Sequence, residues 1–185
     1  PIAVSAPQGK FLALLVQIQG ARRILEIGTL GGYSTMWMAR ALPADGRLLS
    51  LEVNAKHAEV AQANLEKAGV ASVAEIRLGA ALDTLPKLAE EGAGPFDLVF
   101  IDADKANIPE YFDWSVKLSR PGTVIVVDNV VRNGALLDPS GEKPDVVGVR
   151  RLHEQLATDD RVSATTIQTV GSKGYDGFTL AVVSA

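Results

Sequence analysis

The sequence predicts an α/β fold: a doubly wound, seven-stranded, mostly parallel sheet with a C-terminal antiparallel hairpin. Three observations carry this expectation. Strand-like and helix-like apolar spacing alternates five times along the chain, the signature of consecutive strand–helix units with right-handed crossovers. The runs at 97–101 and 123–127 are apolar almost throughout, as strands buried on both faces are. The last two runs, 162–170 and 178–183, have no helical stretch between them, so they pair as a hairpin at one edge, joined through Gly171 to Gly177.

Each element follows in order. Phe11, Leu14, Leu15 and Ile18 stand at i, i+3, i+4 and i+7 and predict a helix that buries those four side chains. Arg23–Ile27 reads as the first strand and ends at Gly28. Residues 33–42 read as a helix stopped by Pro43 and the Asp45-Gly46 turn. Arg47–Glu52 is the second strand, and Asn54 caps a helix that runs to about Ala68 and ends at Gly69. Ala74–Leu78 is the third strand, followed by a helix over 81–91, the strand at 97–101 and a helix over 108–118. Pro121-Gly122 predicts a turn before the strand at 123–127. Residues 129–144 hold two prolines and two glycines and predict a loop long enough to act as a substrate lid. A helix over 145–157 precedes the hairpin.

Composition narrows the function. The 185 residues are 47% hydrophobic and 22% charged, an ordinary globular balance that fits one domain over 1–185. Lys and Arg total 18 against 22 Asp and Glu, a net charge of −4. This argues against a strongly basic nucleic-acid binder and leaves room for a local basic patch. No cysteine is present, which excludes a disulfide scaffold, a thiolate metal site and a cysteine nucleophile, and permits a reducing compartment. No apolar run approaches the roughly 18–20 residues that cross a bilayer, and the cluster at 11–16 is too short for a signal peptide. The expected location is therefore the cytoplasm. The chain begins at Pro1 without a Met, so a trimmed N-terminal segment is expected.

The chemistry gathers at strand ends. Four predicted parallel strands carry an acid at or near their C-terminal end: Glu26, Glu52, Asp102 and Asp128. In an open α/β sheet, ligands bind outside those ends. A row of acids there repels itself unless a cation, a sugar diol or a metal ion sits among them. The first turn, Gly28-Thr-Leu-Gly31-Gly32-Tyr-Ser34, lets a ligand approach the backbone and leads to a helix N-terminus. Its G-x-x-G-G spacing differs from the G-x-G-x-x-G of nicotinamide folds, which weakens a dehydrogenase reading, and no Walker lysine follows. Glu52 lies 24 positions after Gly28, where an acid accepts from ribose hydroxyls. Together these point to a nucleoside cofactor; alone, the turn is what any strand-to-helix connection needs. Asp102, Asp128 and Asn129 form an all-oxygen set suited to Mg²⁺ or Ca²⁺ and compatible with Mn²⁺. Helix caps and turns use the same residue types. Lys105, three residues after Asp102, either approaches the same substrate oxygen or is an ordinary solvated lysine. His57 and His153 lack partners at metal spacing and read as helix-surface residues, and Trp37 and Trp114 read as packing residues. Tyr175 and Asp176 either line the acceptor mouth or make the hairpin turn.

These motifs together resemble the class I S-adenosylmethionine-dependent O-methyltransferases. Within them they resemble the metal-dependent catechol and caffeoyl-coenzyme A O-methyltransferase-like family, in its bacterial branch. The resemblance runs from about Val4 to Val183. It rests on E-I-G-x-x-G-G-Y-S at 26–34, Glu52, F-I-D-A-D-K at 100–105, V-D-N at 127–129, N-G at 133–134 and G-Y-D-G-F at 174–178. It implies a Rossmann-like methyltransferase fold. It implies that Glu26, Gly28, Thr29 and Ser34 hold the methionine end of S-adenosylmethionine, Glu52 the ribose and Ala81 the adenine. Val4, Asp102 and Asp104 would complete the cofactor shell. Asp102, Asp128 and Asn129 would bind a divalent cation, Mg²⁺ first. Lys105 would be the general base and Asn133 would face the acceptor. The resemblance further implies a small catechol-like acceptor and a homodimer. Ala103, where the catechol enzymes have histidine, favours the caffeoyl-coenzyme A-like and bacterial members. Relatives often carry an acid near Gln8, which this chain lacks. Two other readings remain open: a transfer-RNA hydroxyuridine O-methyltransferase, with Arg22-Arg23 and Arg150-Arg151 as phosphate contacts, and a methyltransferase-like scaffold without activity.

Overall fold

A computed structural model describes residues 3–138, 140, 142–171 and 174–185. Parts of the expected lid loop and of the hairpin connection lie outside the described residues. The elements run α1 (Ala6–Gln19), β1 (Arg23–Ile27), α2 (Tyr33–Ala41), β2 (Arg47–Glu52), α3 (Ala55–Lys67), β3 (Ala74–Leu78), α4 (Ala81–Glu90), β4 (Phe96–Ile101), α5 (Ile108–Lys117) and β5 (Ser119–Asp128). A short 3₁₀ segment (Arg132–Leu137), α6 (Pro144–Leu156), β6 (Val162–Gly171) and β7 (Gly174–Val183) complete the chain. The seven strands lie in the order β3-β2-β1-β4-β5-β7-β6. Neighbours from β3 to β5 pair parallel, and β7 runs antiparallel to both β5 and β6. The sheet is thus the doubly wound, seven-stranded one expected.

Strand order reverses between β1 and β4. The chain steps outward from β1 to β2 and β3, then returns across β1 to β4 and β5. Crossover helices on either side of that point leave a crevice at the C-terminal ends of the strands. Two cores flank the sheet. Leu25, Ile27 and Val99 face Leu85, Ile108 and Phe112 on one side. Ile24, Leu98 and Phe100 face Leu12, Val16 and Met38 on the other. The alternation along β1 and β4 is the period-two pattern of strands covered on both faces.

The first helix turns a different face inward from the one its large apolar residues suggest. Leu14 is 42% exposed and Ile18 82%, while Leu12 and Val16 are buried. The buried stripe is Gly9, Leu12, Ala13 and Val16, with the same spacing but set by close approach. A Cβ on Gly9 would stand 2.3 Å from the Trp37 ring. Small residues let α1 press against α2, and a reading weighted to large side chains overlooks them. Ser5 caps α1 by accepting from Gln8 N–H, and Gly20 ends it at φ 61°.

Strand β5 begins earlier than expected. Pro121-Gly122 lies inside it, where the register with β4 jumps from Phe96↔Ser119 to Leu98↔Val124. The irregularity absorbs the turn residues without ending the pairing. Likewise the hairpin pairs as far as Gly171↔Gly174, so Tyr175 and Asp176 belong to β7. No helix among the described residues is long and apolar enough to cross a membrane.

Candidate active site

A cavity of about 650 Å³ opens at the crevice outside the strand ends. Its wall runs from Glu52 at the end of β2, past Gly28 and Thr29 after β1, to Asp102 after β4 and Asn129 after β5. Gly28 is held at φ 92°. A Cβ there would meet the Asp102 carbonyl oxygen at 2.4 Å, so only glycine lets the first loop lie against the fourth strand. Gly28 N–H donates to the Leu51 carbonyl and Asp102 N–H to the Ile27 carbonyl, both at 2.9 Å. These bonds lock three strand ends into one rim.

Glu52 is 7% exposed and faces the cavity. Its Oε2 accepts from Leu30 N–H at 2.9 Å and Thr29 N–H at 3.4 Å, and its Oε1 accepts from Asn54 N–H at 2.9 Å. His57 Nδ1 stands 3.7 Å from Oε1 and joins the wall, so this histidine has a site partner that its spacing did not announce. The carboxylate is oriented by backbone donors and keeps acceptor capacity for a diol. Ala81, Gly79 and Val53 also line the cavity, as does Val4.

Glu26 lies deeper than the resemblance implied. It is fully buried and accepts from Ser34 Oγ and Ser50 Oγ, both at 2.5 Å, and from the Thr35 hydroxyl. Burial pushes its carboxyl above the usual range, against the pull of those hydroxyls. Ser34 lines the cavity while Glu26 stands behind it, so Glu26 acts on the wall through Ser34. Asp104 lies on the wall and is exposed, held by Asn107 N–H at 3.2 Å, by Asn107 Nδ2 at 2.8 Å and by the Tyr111 hydroxyl. Burial and the Asp104 charge push the Tyr111 hydroxyl well above a free phenol, so it remains the donor of that bond.

At the far end, Lys105 is not a solvated lysine. It is 7% exposed and its Nζ donates to Asp102 Oδ1 at 3.0 Å. Asp128 is buried behind the wall; Gln8 Nε2 donates to its Oδ2 at 2.5 Å and Asn129 N–H to its Oδ1 at 2.8 Å. Its carboxyl is pushed up to about 6, first by burial and then by the Asp102 charge, with Lys105 opposing. Among the described residues no three His, Cys, Asp or Glu side chains gather as a metal site; the set here is two carboxylates and the Asn129 amide. Its hard oxygens, two of them anionic and crowded, match a divalent cation of the Mg²⁺ type. Asn133 is exposed, with its Oδ1 3.5 Å from where a Cβ on Gly174 would stand, and it is Arg132 that lines the cavity.

A second hollow of about 520 Å³ lies among the opposite strand ends. It lacks a row of acids, and its Arg77 is taken by Glu91 and Glu75. The chemistry is therefore at the C-terminal rim.

A family model described as O-methyltransferase matches residues 1–183. This chain belongs to the O-methyltransferase family. The catechol O-methyltransferase of Niastella koreensis is 57% identical over 182 residues, spanning 98% of this chain and 82% of that protein. The catechol O-methyltransferase of Mycobacterium tuberculosis is 56% identical over 182 residues, spanning 98% of this chain and 81% of its own. The crystal structure of the O-methyltransferase TomG from Streptomyces achromogenes, involved in tomaymycin synthesis and in complex with SAM, matches at a TM-score of 0.97 and 60% identity. It covers 100% of this chain and 82% of that one.

In this O-methyltransferase, several wall-building residues escaped the sequence reading. Gln8 reaches Asp128 across 120 positions, a contact no local pattern reveals. Tyr111 on α5 reaches back to Asp104 in the loop before that helix, a contact that helical periodicity does not carry. Asp176 holds the backbone beside the cavity's Arg132 wall: its Oδ1 accepts from Val131 and Arg132 N–H, both at 2.9 Å. His153 also has a partner, the Val130 carbonyl, 3.0 Å from Nε2.

Proposed function

We propose that this O-methyltransferase moves the methyl group of S-adenosylmethionine to one hydroxyl of a catechol-like small molecule, with a divalent cation at Asp102, Asp128 and Asn129. One observation carries the reading. A single cavity joins an oriented ribose-type carboxylate, Glu52, to Asp102, Asn129 and a buried lysine, with Asp128 behind the wall, in a chain 60% identical to a SAM-bound relative. The names of the bacterial relatives favour catechols over the caffeoyl thioesters that Ala103 suggested.

The residues divide the work along the rim. Glu52 would accept from the ribose hydroxyls, and the wall at Ala81 would receive the adenine. Gly28, Thr29 and Ser34 would enclose the methionine end, with Glu26 bracing Ser34 and Asp104 taking the ammonium. Val4 would close the cavity from outside. When bound, the cofactor supplies an electrophilic methyl on a sulfonium. The displacement forms the oxygen–methyl bond as the sulfur–methyl bond breaks, and alignment of the three atoms supplies several kcal/mol. When bound, the cation would stabilise a phenolate and chelate a vicinal diol. Lys105, buried against Asp102, would take the phenolic proton or hold the phenolate by its charge.

The transfer-RNA reading finds no support in the arginine pairs. Arg22 is bound to Asp45, Arg151 to Glu110, and Arg23 to the Ala93 and Gly94 carbonyls. The family resemblance extends the proposal to a homodimer in the cytoplasm. Methyl transfer to catechol, followed with and without EDTA, tests the core of it. The proposal predicts turnover that chelation abolishes and Mg²⁺ restores; undiminished turnover in EDTA contradicts the metal role.

A further inference from the structure

The acceptor end of the cavity carries a cation that the proposed chemistry does not use. Sheet order puts the nucleoside end at β2 and the other end at β5, three strand spacings or ~14 Å away. Beyond Asn129 the wall is made by Arg132 and Asp145. Arg132 is fixed there by its backbone. It sits at φ 54°, in the left-handed region that L-residues with side chains rarely adopt. Its N–H, with those of Val131 and Gly177, is held by the single Oδ1 of Asp176. Its guanidinium pairs with Asp145, and the two side chains are 31% and 34% exposed. That bond uses one of five N–H donors, on a group whose planar fork suits a carboxylate.

We infer that Arg132 is a specificity residue that selects acceptors bearing a carboxylate away from the reacting diol. The inference rests on the proposed catechol methylation and names the acceptor class of that same site. Lys105 is already engaged by Asp102 beside the reacting oxygens. Arg132 lies farther along the wall, where a ring substituent remote from the diol arrives. Asp145 keeps the empty site from holding an unpaired, half-buried cation. A ligand carboxylate then shares the guanidinium or displaces Asp145 from it, so Asp145 is an internal competitor. A neutral catechol gains nothing from either residue.

The test compares 3,4-dihydroxybenzoate with its methyl ester, which keeps the diol and removes the charge. The readouts are the acid-to-ester ratio of kcat/KM and calorimetric affinities for both compounds in the presence of S-adenosylhomocysteine and Mg²⁺. Comparing ratios between variants cancels the different acidity of the two diols. The expected wild-type preference for the acid is about tenfold in affinity. Arg132→Gln brings both ratios down about tenfold, and Asp145→Asn raises them by removing the competitor. The Asp145→Asn arm decides alone where Arg132→Gln does not fold. Equal wild-type affinity for acid and ester, or ratios unmoved in these variants, overturns the inference and leaves catechol methylation standing. If neither compound is bound or methylated, the catechol reading falls and the inference with it.

Discussion

Asp97 at the start of β4 and Asp128 at the end of β5 are both buried, on neighbouring strands at opposite ends of the sheet. Asp97 Oδ2 accepts from Arg22 N–H at 2.8 Å and Arg23 N–H at 2.9 Å, and its Oδ1 accepts from Arg120 Nη2 at 2.5 Å. Burial pushes its carboxyl up, but Arg120 and the two backbone donors more than cancel this and hold it below its usual range. Asp128 has Gln8 and Asn129 as donors, faces the Asp102 charge, and is pushed up to about 6. One carboxylate is satisfied by the protein, and the other is kept short of positive charge. The first fastens a strand end; the second, in the proposed function, takes a positive ligand. A row of acids in a sequence does not distinguish the two roles, whereas the donors around each acid do.

The largest effect that sharpens this contrast is on turnover. Asp128→Asn should lower methyl transfer by about a hundredfold or more, from the loss of charge stabilisation at the reacting oxygen, and Asp97→Asn should leave the rate per folded molecule unchanged. An equal loss in both would break the contrast. Stability should move the other way. Asp97→Asn removes a charge-assisted anchor and should cost about 2–3 kcal/mol, while Asp128→Asn should stabilise the metal-free protein at pH 7. The pH dependence follows the same signs. The Asp128 carboxyl titrates higher folded than unfolded, so the folded state holds the extra proton between about pH 4 and pH 6. Its contribution is present below that window and lost as pH rises through about 6. The Asp97 contribution is present above the ordinary carboxylate pKa and lost as pH falls below it. Urea midpoints measured in EDTA from pH 3 to pH 7 should therefore fall between pH 4 and 6 in the wild type and fall less in Asp128→Asn, where buried Glu26, also raised, keeps part of the slope.

Much of the fold was legible in the sequence because its punctuation is strong. Strands β1, β2 and β3 begin and end at the residues that glycine, proline and alternation suggest. The reading slipped where small residues decide packing, at the Gly9–Ala13 face of α1, and where turn residues sit inside a strand irregularity, at Pro121-Gly122. The strand-end acids were legible too, because sheet topology alone carries them to one rim. Their separate roles were not, since these depend on donors far away in sequence. Gln8 is 120 positions from Asp128, and Arg120 is 23 from Asp97. Asp176 read equally well as a turn residue or a mouth residue, and its hold on Val131 and Arg132 is visible only once β7 lies beside β5.

The most direct measurement is Mn²⁺ binding followed by electron paramagnetic resonance, with S-adenosylhomocysteine present, for the wild type, Asp128→Asn and Asp97→Asn. The account predicts one saturable site that persists in Asp97→Asn and is weakened about a hundredfold or lost in Asp128→Asn. Binding unchanged in Asp128→Asn, or no saturable site in the wild type, would contradict it.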